Sequence, residues 1–290
     1  MTPKTSALNA SDLRLRPASS LRMEELADLL NQCFTGYFVK IHDTADLLAQ
    51  RLRLDSIDLA LSRVAFLREE PIGLIYLSPR GWSCRVAGMG VVPEYRRYGI
   101  GRRLMDEAIT LVRQRQFRYL LLEVIEQNTG AYVLYRDLCF VTVRHLFGYQ
   151  FDDAPHADFG GQPAGFRDID PLEIAQLVRT EGDPDLPWQL EPETLAAFTP
   201  PAVALALEDT AFALLSSVDA STAVVQALLV RRSERRQGWG LRLIEGLRRR
   251  YPGRLWKIPA RVPEDLADDF LLAVGFERLD IRQFEMRLDL

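Results

Sequence analysis

The sequence has few of the residues that build metal centres and disulfide frameworks. Only three cysteines and three histidines occur among its 290 residues. Cys33, Cys84 and Cys139 lie far apart in the sequence, without a Cys-x-x-Cys pair and without a histidine at metal-ligand spacing. We therefore expect reduced thiols in the core and no bound metal ion.

Long apolar runs and an excess of positive charge are missing too. No stretch of about 18 uncharged apolar residues occurs, and Met1–Ser11 lacks the basic start and the apolar run of a signal peptide. The net charge of -4 argues against general binding to nucleic acids or membranes. These absences predict a cytoplasmic protein that has neither as a partner, and they leave a homodimer open.

What the sequence does have is length and an internal repeat. A chain of 290 residues exceeds what one hydrophobic core usually organises. The hexapeptide Arg96 to Gly101 (RRYGIG) returns as Arg235 to Gly240 (RRQGWG), 139 residues later (238 minus 99). A segment rich in Gly, Pro and Asp separates the two copies. We predict domains at 1–150 and 165–290, joined by a linker at 151–164.

Hydrophobic periodicity predicts an α/β (α+β) fold in which each copy is a mixed, mostly antiparallel sheet flanked by helices. In the first copy the pattern predicts strands at 13–17, 63–68, 71–78, 84–92, 119–125 and 141–147, and helices at 23–33, 47–54, 102–116 and 129–138. The second copy repeats the early part of this order, with strands at 165–169, 203–207, 211–216 and 223–230 and a helix at 171–179.

The repeated Arg-x-x-Gly-x-Gly pattern lies between an apolar strand and an amphipathic helix. Backbone N–H groups at a helix start attract anions, and Gly99 and Gly101 let the backbone come close to one. Arg96, Arg97, Arg102 and Arg103 add positive charge. A turn that needs glycine only for its own conformation is the alternative. No Lys-Ser/Thr pair follows, and Leu104 replaces the third glycine of a dinucleotide fingerprint, so a P-loop or Rossmann site is disfavoured.

Two spaced motifs resemble those of the Gcn5-related N-acetyltransferase (GNAT) superfamily. The segment Val91 to Gly101 (VVPEYRRYGIG) is similar to motif A, and a second set is similar to the companion signature: Leu122-Glu123-Val124, Asn128, Ala131, Leu134-Tyr135 and Phe140. The resemblance covers Leu13 to about Gln150 well and Gly165 to the end more loosely. It implies a tandem GNAT protein with a degenerate second copy and acetyl-CoA as cosubstrate.

The resemblance also implies roles for particular residues. By this resemblance, Val91, Val92 and Asn128 would bind the pantetheine arm of CoA. The pyrophosphate would be bound by the residues of the loop and helix start: Arg96, Arg97, Tyr98, Gly99, Ile100, Gly101 and Arg102. The resemblance assigns general acid duty to Tyr135 and a possible general base to Glu123. The acceptor wall would include Phe34, Tyr37 and Phe38, for which ordinary packing is the alternative. A salt bridge is the alternative for Glu123, and plain aromatic packing is the alternative for Tyr135.

Several departures from the family pattern bear on function. Cys139 replaces the usual glycine before Phe140, which should alter a turn, and Arg85 lies near the place where some members keep their base. In the second copy, Leu271 and Glu264 take the places of Tyr135 and Asn128, which predicts a supporting role. The predicted function is an N-acetyltransferase acting on a small-molecule amine, a peptide N-terminus or a lysine. A non-catalytic acyl-CoA sensor or scaffold is the alternative, and nucleic-acid binding by the arginine-rich second copy is a third candidate.

Overall fold

The computed structural model describes residues 12–153 and 165–290, and it divides into two compact units. The first unit holds residues 12–123, Val133–Val141 and Met286–Leu290. The second holds Val124–Tyr132, 142–153 and 165–285. The expectations for Met1–Ser11 and for most of the predicted linker, residues 154–164, lie outside the described residues.

The described chain up to Asp137 forms five strands and four α-helices; the closing strand of the first copy follows them. In chain order they are β1 (Leu13–Pro17), α1 (Met23–Cys33), α2 (Ala45–Asp55), β2 (Arg63–Leu67), β3 (Glu70–Arg80), β4 (Ser83–Val91), α3 (Ile100–Gln114), β5 (Tyr119–Ile125) and α4 (Thr129–Asp137). The strands follow the order β1-β2-β3-β4-β5, antiparallel except for the parallel pair β4 and β5.

Helices cover both faces of the first unit's sheet. A Cβ added to Gly90 of β4 would meet Cys33 and Phe34 at the end of α1, whereas one added to Gly73 of β3 would come close to Leu104 of α3. Because Gly73 pairs with Val91, and neighbouring strand residues face opposite sides, α1 and α3 pack on opposite faces. The apolar side of α1 enters one core at Leu26, Leu29, Leu30 and Cys33.

The rest of the chain repeats this order. The elements are β6 (Val141–Asp152), β7 (Phe166–Ile169), α5 (Pro171–Glu181), α6 (Pro192–Ala196), β8 (Val203–Leu207), β9 (Ala211–Val218), β10 (Thr222–Val230), α7 (Trp239–Arg250), β11 (Leu255–Pro263), α8 (Glu264–Ala273), β12 (Glu277–Arg278) and β13 (Gln283–Asp289). The second unit's strands run β7-β8-β9-β10-β11-β6, with β10 and β11 parallel.

Most of the last strand of each copy belongs to the other unit. Strand β6, which follows α4 in the sequence, pairs with β11 of the second unit. Residues Met286–Leu290, at the end of the second copy, belong to the first unit, where β13 neighbours β5. The ranges 1–150 and 165–290 therefore remain a prediction about the repeat in the sequence, and they do not anticipate this exchange.

The mixed sheets flanked by helices confirm the predicted fold class, but one expectation about the thiols is wrong. Cys33 and Cys84 are buried, whereas Cys139 is exposed. Cys139 follows α4 in a left-handed conformation (φ 67°), and such a turn lies at the surface. No helix within 12–153 and 165–290 is long and apolar enough to cross a bilayer.

Candidate functional site

The loop between β4 and α3 has an unusual backbone. Arg97 adopts φ 68°, and Gly99 adopts φ 80° and ψ 1°, so two residues out of three lie in the left-handed region. Gly99 is the N-cap of α3 and has no side chain to cap the helix. The amides of the first helical turn, beginning at Ile100, are therefore not capped from this position, and the helix dipole adds positive charge there.

Arg96 holds this loop in place. Its Nε donates to the Val91 carbonyl at 3.0 Å and its Nη2 donates to the Cys33 carbonyl at 2.8 Å. The guanidinium thus ties the loop to the ends of β4 and α1, a structural role that the sequence analysis missed. The side chains of Arg97, Tyr98 and Arg102 are exposed around the loop. Their predicted contacts with pyrophosphate remain predictions.

Strand β4 parts from β5 before it reaches the loop. The parallel pairing runs from Ser83 with Tyr119 to Val86 with Leu122. A register shift at Ala87 bends β4, which then continues beside β3 to the pair of Val91 with Gly73. The two strands thus separate in front of the helix start, as a ligand arm entering between them would require.

Hydrogen bonding in this part of β4 differs between the backbone amides of Val91 and Val92. The Val92 amide donates to the Ile72 carbonyl at 2.9 Å, so it belongs to the sheet. By the alternation of an antiparallel ladder, the Val91 amide points away from β3. The predicted pairing with a pantetheine arm therefore fits the amide of Val91 and does not fit the amide of Val92.

Tyr135 lies buried on α4. Its residue surface is 6% exposed, and its ring packs 6.0 Å from the Phe140 ring. Burial raises the pKa of the Tyr135 phenol above its ordinary value, and the Tyr37 phenol adds to the rise. The phenol therefore keeps its proton at neutral pH, as a proton donor must.

The loop after α1 carries the predicted acceptor wall. Tyr37 stacks edge-on against Phe34, with ring centroids 5.0 Å apart, and against Phe38 at 5.2 Å. Phe34 also packs against the core under α1, whereas Phe38 is 49% exposed. Among the residues of this cluster, Tyr37 contributes electrostatically to the raised pKa of the candidate acid Tyr135.

Glu123 makes a buried ion pair, which is the alternative that the sequence analysis gave to a role as general base. Both carboxylate oxygens accept from Arg85 Nε, at 3.0 and 2.9 Å, and Oε2 lies 2.8 Å from Nη2. Both side chains are 6% exposed, and Arg85 also donates to Asp55 of α2 at 3.2 Å. Burial works against the charge of Arg85, yet the two carboxylates raise its pKa above the ordinary value.

This geometry argues against Glu123 as the general base. A base must offer a lone pair to a proton, and both carboxylate oxygens of Glu123 already accept hydrogen bonds from the Arg85 guanidinium. The ion pair instead joins β4 to β5 beside Val86 and Leu122, where their pairing ends. This ion pair follows from the strand register. Arg85 pairs with Leu121, and Glu123, two residues further along β5, lies on the same face of the sheet.

Asn128 begins α4 and caps it. Its Oδ1 accepts from the Ala131 amide at 3.3 Å, and its backbone carbonyl accepts from the Tyr132 amide at 3.0 Å. This explains locally why an asparagine precedes the helix. Its predicted contact with pantetheine remains a prediction.

The turn after α4 corrects the expectation about Cys139. The Phe140 amide donates to the Tyr135 carbonyl at 3.0 Å, and in the second copy the Phe276 amide donates to the Leu271 carbonyl at 2.9 Å. Cys139 and Gly275 both take positive φ, of 67° and 95°. The turn is therefore kept despite the missing glycine. The same match supports the alignment that places Leu271 at the position of Tyr135.

Comparison with known proteins agrees with this geometry. Residues 23–140 match the model of the acetyltransferase (GNAT) family. This match identifies a GNAT-family domain at residues 23–140. No curated protein sequence matches it.

Solved structures extend the GNAT likeness to the whole chain. A Pyrococcus horikoshii protein assigned as an acetyltransferase is 18% identical, with a TM-score of 0.68 over 98% of this chain and 91% of that chain. A tandem GNAT protein from the clavulanic acid biosynthesis pathway is 17% identical, with a TM-score of 0.67 over 96% and 98%. A GCN5-related N-acetyltransferase from Sphaerobacter thermophilus is 14% identical, with a TM-score of 0.61 over 96% and 95%. At these identities the likeness concerns the tandem GNAT fold, and acyl transfer in general is the activity of the family.

Proposed function

We propose that the first copy transfers an acetyl group from acetyl-CoA to a primary amine by direct attack. The observation that carries this proposal is the conjunction of an uncapped helix start at Gly99 with strands β4 and β5 that part in front of it. The loop offers amides and arginines to a diphosphate, and the Val91 amide points away from β3, where an extended arm could pair with it.

Tyr135 acts as the general acid in this reaction. The neutral amine attacks the thioester carbonyl carbon, the C–N bond forms, and the C–S bond then breaks. The departing sulfur takes the phenolic proton of Tyr135, and the proton released by the amine restores the phenol. The acceptor is a small-molecule amine, a peptide N-terminus or a lysine, received beside the aromatic cluster of Phe34, Tyr37 and Phe38.

A single substitution tests the role of Tyr135. Tyr135→Phe keeps the ring packing against Phe140 and removes only the hydroxyl, so we expect kcat to fall about a hundredfold or more while affinity for CoA stays unchanged. Product formation from acetyl-CoA and a panel of amines, amino acids and peptides is followed by mass spectrometry, and CoA affinity by calorimetry. Unchanged turnover in this variant would remove Tyr135 from the mechanism.

A second candidate, a non-catalytic acyl-CoA sensor or scaffold, uses the same loop without turnover. The Arg85–Glu123 ion pair favours this candidate, because it engages both carboxylate oxygens of the predicted base. The same panel separates the two candidates, because a sensor binds CoA and yields no acetylated product.

A further inference from the structure

The second copy keeps the backbone of the phosphate loop almost unchanged. Gly238 caps α7 with φ 83° and ψ 1°, and Arg236 adopts φ 65°, close to the values at Gly99 and Arg97. Arg235 Nε donates to the Val230 carbonyl at 3.1 Å, and its Nη2 donates to the Glu181 carbonyl at 2.6 Å. From this backbone alone, two CoA sites in each chain would follow.

We infer that side chains of the second copy close its cleft, so that the chain binds one CoA molecule, in the first copy. This inference takes its ligand from the proposed function. Three contacts within the second unit carry it.

The first contact closes the helix start. A Cβ added to Gly240 would lie 2.8 Å from Cε2 and 2.9 Å from Cζ of Phe270, so the aromatic ring of α8 rests directly on α7. At Gly101, the matching glycine, the nearest atoms are Leu134 Cδ2 at 3.8 Å and Met89 Cε at 3.9 Å. Phe270 occupies the position of Leu134 and lies about 1 Å closer to the loop glycine than Leu134 does, so it leaves less room beside the helix start.

The second contact bridges the parting strands. Strands β10 and β11 pair from Thr222 with Leu255 to Val224 with Lys257. Just beyond, Gln226 Oε1 accepts from Arg261 Nη1 of β11 at 2.8 Å, and Gln226 Nε2 donates to Ser216 Oγ of β9 at 2.6 Å. Gln226 is 7% exposed, and both hydrogen bonds of the bridge are partly buried.

The bridge has no counterpart at the matching position of the first copy. Gln226 is the residue at the register shift of β10, and Ala87 is the residue at the register shift of β4. A methyl group cannot reach across to the neighbouring strand. The first copy joins its strands only earlier, through Arg85 and Glu123. At the position of Ala87, the second copy instead spans the space between its strands with the Gln226 side chain.

The third contact occupies the start of the loop. The Glu181 carboxylate accepts from Arg231 Nη1 at 2.8 Å and from the Arg232 amide at 2.8 Å. The carboxylate lowers the local positive potential that would attract a diphosphate. Its own pKa is lowered by these contacts, the Arg232 amide first, so it stays ionised at neutral pH.

A matched pair of variants tests the inference in the full chain. Gly99→Asp and Gly238→Asp place the same carboxylate at the same left-handed N-cap, with nothing within 4 Å of the added Cβ in either case. Aspartate tolerates this conformation better than most residues. Calorimetric titration with CoA should give one site in the wild type, no detectable binding in Gly99→Asp, and unchanged affinity and stoichiometry in Gly238→Asp.

The outcomes distinguish this inference from the proposed function. Two sites in the wild type, or weaker binding in Gly238→Asp, would overturn the single-site inference and leave the proposed function standing. Absence of CoA binding in the wild type would overturn both. A double variant, Phe270→Leu with Gln226→Ala, installs the first-copy residues, and we expect a second, weaker site. A folded double variant that still binds one CoA would show that these side chains do not close the cleft.

Discussion

The Arg85–Glu123 ion pair makes the sharpest prediction, because it separates a structural carboxylate from a catalytic one. Both side chains are 6% exposed, and removal of one leaves the other charge buried without its main partner. Broken buried pairs cost about 3–5 kcal/mol. We expect Glu123→Leu and Arg85→Met each to lower the free energy of unfolding of the full chain by about this much.

The double variant Arg85→Met/Glu123→Leu removes both charges together. An apolar pair of similar volume is roughly neutral in such positions, so the double variant should lie within about 2 kcal/mol of the wild type. Asp55 then loses its Arg85 contact, but its side chain is 18% exposed and can be solvated. Urea unfolding of the four proteins gives the coupling energy of the pair.

Activity of the same four proteins decides the role of Glu123. If the carboxylate only holds β5 against β4, the double variant recovers stability and keeps kcat within about tenfold of the wild type. A general base contributes about a hundredfold or more, which no repacking restores. A stable double variant with kcat reduced a hundredfold would refute the structural assignment and make Glu123 the base.

Two further predictions concern backbone positions near the site. Gly90→Ala would bring a Cβ to 2.7 Å from the Cys33 Cβ, so we expect a loss of about 1–3 kcal/mol in urea unfolding. Gly88→Ala is its control and should be much milder, because its nearest neighbour is Tyr76 Cδ2 at 3.9 Å. Cys139 adopts φ 67°, a conformation that is strained for a residue with a Cβ atom. Cys139→Gly removes this strain and should raise the free energy of unfolding by about 1 kcal/mol. An unchanged or lower value would show that the turn carries no such strain.

Local patterns predicted individual elements well. The strands Leu13–Pro17 and Tyr119–Ile125 and the helix Met23–Cys33 have the predicted bounds, because their apolar residues follow a strand or helix period without interruption. Helix α3 begins two residues earlier than expected, at Ile100. Gly99 forms the N-cap, so the helix starts directly after it and contains Gly101.

Features that depend on distant partners escaped prediction. Strand β6 runs to Asp152, five residues past the predicted end, and its pairing with β11 reaches Leu255. No local pattern indicates which sheet a closing strand will join, so the exchange of β6 and β13 was not foreseen. The ion pair of Arg85 with Glu123 depends on the register of two strands that an α-helix separates in the sequence.

The shared skeleton of the two copies explains why the glycine motif alone is an incomplete guide to function. Both copies keep the left-handed arginine and glycine, the arginine bound to two carbonyls and the register shift in the preceding strand. These features stabilise the strand-to-helix turn itself, so a copy can retain them after losing its ligand. Inside the motif the copies differ only at Tyr98 and Ile100, which Gln237 and Trp239 replace. Outside it, Leu134, Ala87 and Tyr135 are replaced in the alignment by Phe270, Gln226 and Leu271. Binding and chemistry should therefore follow these three positions, whereas the glycines report that the turn is formed.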